Sequence, residues 1–192
     1  MRALTIIEGQ VSSGHFIYVR DAGSLTDQEL LVALGLHGYS TDPEPVFPCH
    51  VAHIMRAADW VCYVDDWFYT AYNSTGIEDS VAALGQRYEV FRAAIGDADY
   101  SLELYHFVDG SPKRQFLFRD HAGKSSVILD RGTPFRCESS FCLGSDPWPY
   151  VCLVVDEIGI DSRGTTSSIC TYIKPYKQRL YINTEANKSR AW

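Results

Sequence analysis

The stretch from Asp97 to Arg131, DADYSLELYHFVDGSPKRQFLFRDHAGKSSVILDR, constrains the fold more than any other. It reads as three β-strands joined by two tight turns. In the first strand Leu102, Leu104 and Val108 point one way, with Ser101, Glu103, Tyr105 and Phe107 opposite, because successive side chains in a strand alternate. Asp109-Gly110-Ser111-Pro112 is a strong turn. Phe116 and Phe118 share a face of the second strand, with Gln115, Leu117 and Arg119 opposite. A second turn, His121-Ala122-Gly123-Lys124, leads into Val127-Ile128-Leu129. Alternation of this kind predicts an antiparallel meander over about residues 99–131 with one wet face.

The rest of the chain supplies elements to cover that sheet. Ala3–Ile7 and His15–Val19 are β-prone runs separated by Ser12-Ser13-Gly14. Thr26 with Glu29 has the spacing of a capping box, Leu25 and Leu30 that of a hydrophobic staple. Gly35 followed by Leu36 suits a Schellman ending to this helix. Three prolines between Asp42 and Pro48 forbid a regular element there. His50–Arg56 reads equally as a short helix or a strand, and Trp60–Val64 reads as a strand. Thr75 and Glu78 repeat the capping-box spacing ahead of Ile77, Val81 and Leu84, with Gly85 closing the helix. Tyr88–Ile95 is a further strand. Asp146 and Pro147 open a third helix over Tyr150–Ile158, closed by Gly159.

A chain of 192 residues suits one domain, or one domain with an appendage. We expect a single domain over residues 1–165 and a basic, aromatic extension over 166–192 that can add edge strands; Pro175 keeps such a strand off a central position. A hydrophobic content of 46% with 21% charged residues excludes a disordered or fibrous class. The opening MRALTIIEG has no long apolar stretch and no cleavage signature, and no apolar run approaches the ~20 residues of a membrane helix. Six cysteines lie at irregular spacing. A cytoplasmic protein with reduced thiols is expected.

The net charge is -7, and the segment from Arg163 to Trp192 is basic at +5, leaving -12 on the first 162 residues. That field disfavours nucleic acid and anionic membranes and favours a basic partner protein. Tyr172, Lys174, Tyr176, Lys177, Arg179 and Tyr181 interleave aromatic and basic groups as single-strand binders do. The acidic body weighs against that use, so neither nucleic acid nor membrane is expected as a partner.

Two clusters have the composition of a chemical site. Cys49, His50 and His53, with Cys137 and Cys142, could supply zinc ligands, although their spacing matches no standard pattern. Loop histidines and buried cysteines account for them without a metal. Asp97, Asp99 and Glu103, with Asp65 and Asp66, could form a carboxylate group for a divalent ion or acid/base work. Asp97-x-Asp99 lacks the glycine and terminal glutamate of a calcium loop, and turn chemistry explains Gly96-Asp97. No nucleophile elbow, P-loop or dinucleotide fingerprint is present. No cofactor or metal is expected.

Trp60-Val61-Cys62-Tyr63-Val64-Asp65-Asp66-Trp67, then Leu84-Gly85-x2-Tyr88-Glu89-Val90, then Gly96-Asp97-x-Asp99-x-Ser101, then Phe107-x-Asp109-Gly110-x3-Arg114, then Gly132-x-Pro134-x3-Glu138 and Ile158-Gly159-Ile160 occur in that order. In spacing and turn residues this order resembles small uncharacterised bacterial α+β domains, some of them similar to immunity proteins of polymorphic toxin systems. The resemblance covers about residues 55–161. It implies binding of a partner protein without catalysis, and it supplies no catalytic residues.

The expectation is therefore an α+β fold: a central antiparallel sheet of five to seven strands with two or three helices packed mainly on one face. The expected role is a non-catalytic, immunity-protein-like binding domain. The candidate binding residues are Trp60, Asp65, Asp66, Trp67, Phe68, Tyr69, Asp97 and Asp99, with Tyr72 beside them, since such aromatics anchor interfaces. The competing expectation is a hydrolase or divalent-metal enzyme built on the Asp/Glu or the Cys/His cluster.

Overall fold

Central strands whose residues of both parities are apolar need cover on both faces, and this requirement sets the architecture. The computed structural model describes residues 14–20, 24–41, 49–57, 59–65, 70–96, 99–121, 124–142, 144–160 and 168–175, with backbone alone for Cys49, Ala57, His121 and 168–175. The strands are β1 (His15–Arg20), β2 (Cys49–Ala57), β3 (Trp60–Val64), β4 (Val90–Ile95), β5 (Leu102–Val108), β6 (Ser111–His121), β7 (Lys124–Gly132) and β8 (Ser168–Pro175). They form one eight-stranded sheet in the order β7-β6-β5-β4-β1-β3-β2-β8. Every pairing is antiparallel. His50–Arg56, ambiguous as sequence, lies within β2. The expected strand at Ala3–Ile7 falls outside the described residues.

Among the described residues three α-helices flank the sheet: α1 (Asp27–Ala33), α2 (Ile77–Gly85) and α3 (Trp148–Glu157). They are divided between its faces and not gathered on one. Ile17 and Val19 of β1 share a core with Leu30 and Leu31 of α1 and with Val81 and Leu84 of α2. Phe16 and Tyr18, the alternate residues of the same strand, share a second core with Val151, Val154 and Val155 of α3. The physical reason is visible in β3 and β4, all of whose residues are buried. At ~1.5–3 kcal/mol for each large apolar side chain removed from water, leaving either face bare would cost more than any loop arrangement could recover.

The meander is present, but its wet face is only partial. In β5 all residues but Val108 are buried, so the Glu103 and Tyr105 side lies inside. Exposure develops outward: β6 alternates, and in β7, at the edge, every residue but Leu129 is exposed. Asp109 and Gly110, with φ of 51° and 72°, make a two-residue turn with both central residues left-handed, the arrangement that matches strand twist. Pro112 is tolerated in β6 because the register shifts there, between His106 and Phe107 of β5.

The helix boundaries follow local chemistry. Thr26 caps α1 with the reciprocal Glu29 contact, the Thr26 N–H donating to Glu29 Oε2 at 2.8 Å. Its end is a Schellman turn: Gly35 N donates to Val32 O at 2.9 Å and Leu36 N to Leu31 O at 2.8 Å. The capping box expected at Thr75 and Glu78 does not form. Gly76, at φ 87°, is the N-cap and makes no side-chain cap, which puts Glu78 one residue too early to reach back. Gly85 is the last helical residue of α2 and not the residue beyond it. In α3 the Asp146 carboxylate accepts from Trp148 N at 3.0 Å, and Gly159 at φ 78° ends the helix. Among the described residues no helix is long and apolar enough to cross a membrane.

Candidate functional site

A chain of polar side chains crosses the interior on the α1/α2 side of the sheet. The pairing of Phe16 with Val64 sets His15, at the start of β1, beside Asp65, just past the end of β3. His15 and Asp65 are both fully buried. The turn at 70–74, closed by Ser74 N to Ala71 O at 3.0 Å, brings two backbone donors to the same carboxylate. Asp65 Oδ1 accepts from Tyr63 OH at 2.9 Å and from Ala71 N at 3.1 Å. Oδ2 accepts from Tyr72 N at 2.9 Å and lies 2.9 Å from His15 Nδ1.

Arg92 of β4 continues the chain. Its Nε donates to His15 Nε2 at 3.0 Å, and its Nη2 lies 3.3 Å from Glu103 Oε2. Glu103 also accepts from Tyr72 OH at 2.8 Å and pairs with Arg119 Nη2. The Arg92 guanidinium lies over the rings of Tyr72 and Tyr105, at 5.6 and 5.2 Å.

These contacts assign the protons. Arginine only donates, so His15 Nε2 must be an acceptor and its proton sits on Nδ1, which donates to Asp65. His15 is therefore neutral, in keeping with burial holding its pKa below 6.5 against the pull of Asp65. Burial alone would raise the Asp65 carboxyl; the hydrogen bonds from His15, Tyr72 and Ala71 outweigh it and leave the group below its usual range. Glu103 is likewise pulled down, burial being outweighed by Arg119, Arg92 and Tyr72. His15 has the carboxylate partner of a catalytic base, but its other nitrogen is occupied by Arg92 and not by a nucleophile.

The anticipated residues fall as follows. Asp65 is the hub of this network, and Tyr72 bridges its two ends. Trp60 is 4% exposed, packed in the α3-side core beneath the Arg20 guanidinium at 5.6 Å. Asp99 accepts from Ser101 N at 3.0 Å in a turn. Asp66, Trp67, Phe68, Tyr69 and Asp97 lie outside the described residues. Glu103 is bound to arginines across the sheet, and among the described residues no acidic cluster with Asp99 is assembled around it.

His50 and His53 sit on β2 an odd number of residues apart and face opposite sides of the sheet. His50 Nδ1 is 2.8 Å from Thr70 Oγ1. Cys137 is half-buried, its thiol pushed up to about 12 by burial and the neighbouring Glu157, while Cys142 is exposed. Among the described residues no group of three or more His, Cys, Asp and Glu is arranged to hold a metal ion.

His15 and Arg92 escaped the sequence reading. Their signal was a charged or titratable residue inside an otherwise apolar strand, HFIYVR and VFRAAI, where only an internal partner can compensate burial. Arg114 is the same case on the opposite face. It is 1% exposed, its Nε and Nη2 donate to Glu138 at 2.7 and 2.6 Å, and its Nη1 donates to Asp130 at 2.6 Å. Glu138 belongs to a 3-10 helix, Arg136–Ser140, so this bidentate pair pins that segment to the sheet. Compared with known proteins, the chain matches no family model, no curated protein and no solved structure.

Proposed function

We propose that this chain is a non-catalytic protein-binding domain of the bacterial immunity-protein kind, acting in the cytoplasm on a basic partner protein. The observation that carries this reading is the charge balance of the interior. Among the described residues the buried full charges are Arg92, Arg114, Asp65 and Glu103, and they cancel. The remaining charged side chains of the described residues, in which acids outnumber bases, therefore stand outside the fully buried interior. A surface field of that sign steers a cationic protein and repels polyanions. The pairing of His15, Asp65, Arg92 and Glu103 with one another supports the same reading, because it commits these groups to structure.

The test uses the full chain as bait in a lysate of its own organism at low ionic strength. The expected result is a stoichiometric basic protein that salt releases, since the exposed charges are screened beyond ~8 Å at physiological ionic strength. Recovery of no stoichiometric partner, or of one indifferent to salt, would count against the proposal.

A further inference from the structure

We propose that the turn at residues 70–74 is a pH-operated cover over His15, closed while the imidazole is neutral and opened as weak acid protonates it. The device stands apart from any protein partner. It rests on the way the ring is enclosed. Each ring nitrogen is already committed: Nδ1 donates to Asp65, and Nε2 accepts from Arg92 Nε at 3.0 Å. A proton on Nε2 would face that Arg92 N–H, donor against donor, beside a guanidinium. Arg92 would lose the acceptor of its Nε, and its Nη1 already has no hydrogen-bond partner.

The charged and titratable groups facing the ring come from several elements. Asp65 follows β3, Arg92 belongs to β4, Glu103 to β5 and Tyr72 to the turn. Tyr63 of β3 bears on the ring through Asp65, and Arg119 of β6 through Glu103. Burial outweighs the pull of Asp65 and keeps the enclosed ring neutral, and Arg92 adds to its effect. An imidazolium at this position therefore needs water.

The turn is the side from which water can come. β1, β3 and β4 are each paired with a strand on both edges. The turn is tied down through the same network: Ala71 N and Tyr72 N donate to Asp65, and Tyr72 OH donates to Glu103. The Tyr72 ring stands edge-on to the imidazole at 5.5 Å, yet Tyr72 is only half-buried and Asn73 beside it is exposed. Lifting the turn hydrates the imidazolium and breaks three hydrogen bonds whose groups water can satisfy. Reaching it through the strands would break the sheet ladder, so the turn is the unit that opens.

The open form binds a proton with the ordinary imidazole pKa of 6.5, and the closed form only at lower pH. The opening constant should therefore rise by up to ~10-fold per pH unit below 6.5, until the closed form is itself protonated. Asp65 and Glu103 stay ionised in this window, since both are held below their ordinary 3.8 and 4.5.

The test is amide hydrogen exchange of the full chain, read by NMR between about pH 7.5 and about pH 5 and corrected for intrinsic exchange. The opening constants of the Ala71 and Tyr72 amides should exceed those of β1 and β4 throughout and should climb as the pH falls. His15→Gln, whose amide offers a donor to Asp65 and an acceptor to Arg92 but does not titrate, should remove the climb. Tyr72→Phe cuts the tie to Glu103 and leaves every charge in place. It should raise opening of the turn ~10-fold or more at each pH without changing the slope. The proposal is overturned if the turn opens independently of pH, if turn and strands open with equal constants, or if folded His15→Gln keeps the climb.

Discussion

Asp65 accepts four hydrogen bonds while fully buried, from Tyr63, Ala71, Tyr72 and His15. Asp65→Ala orphans all four donors and should cost ~3–5 kcal/mol, as removal of one partner from a buried charged network does. Urea denaturation at neutral pH measures it; a loss within ~0.5 kcal/mol would mean that the network contributes little. The pH dependence follows from the same contacts. His15 has its folded pKa below 6.5, so as pH falls through that value the unfolded chain takes up a proton that the folded chain refuses. Stability conferred by the neutral imidazole is complete above 6.5 and is lost as pH falls towards its depressed folded pKa. Asp65 and Glu103 are depressed as well, and their contributions decline only from their ordinary 3.8 and 4.5 downward. The urea midpoint should therefore drop between about pH 7 and about pH 5, ahead of the carboxylate range. His53, also held below 6.5 by burial, acts in the same direction. A flat midpoint across that window would contradict the neutral assignment of His15.

Gly85 shows how packing overrides local preference in an element. Replacing a helical glycine with alanine gains ~1 kcal/mol in propensity. Here, however, an added Cβ would meet Phe107 Cβ at 2.7 Å and Cγ at 2.8 Å. Overpacking of that kind costs ~1–3 kcal/mol. Gly85→Ala should therefore be destabilising by up to ~2 kcal/mol net, readable as a lower melting temperature, because α2 must lift from β5. The glycine ending α2 was legible as a helix-end signal, but its reason is close approach to β5. At Gly35 and Gly159 the left-handed φ is itself the reason, and the local pattern sufficed.

Across the whole molecule, protection should follow cover. The residues of β1, β3 and β4 lie between two cores, whereas β7 is an edge strand with Val127 at 43% and Ile128 at 60% exposure. Amide hydrogen exchange should be slowest in β1, β3 and β4 and fastest, among the strands, in β7. Uniform rates across the sheet would contradict the two-core arrangement. The exposed apolar pair on β7 is flanked by Lys124, Asp130 and Arg131, charges of the kind that keep an open edge from pairing with another chain.

The sequence by itself determined what depends on neighbours along the chain. The Asp109-Gly110 hairpin, the Thr26/Glu29 cap, the Schellman endings and the antiparallel meander all follow from turn chemistry and side-chain alternation. Only the tertiary structure decided what depends on distant partners. Glu103 looked like an outward polar residue until Arg92 and Arg119 were brought to it. Trp60 read as an interface anchor in the sequence and lies buried in the core that also holds α3. Asp65, singled out as a surface contact, became the centre of an internal network because His15 lies fifty residues away in sequence and adjacent across the sheet. A buried polar group is stable only with its partner, and register, which no local pattern states, selects that partner.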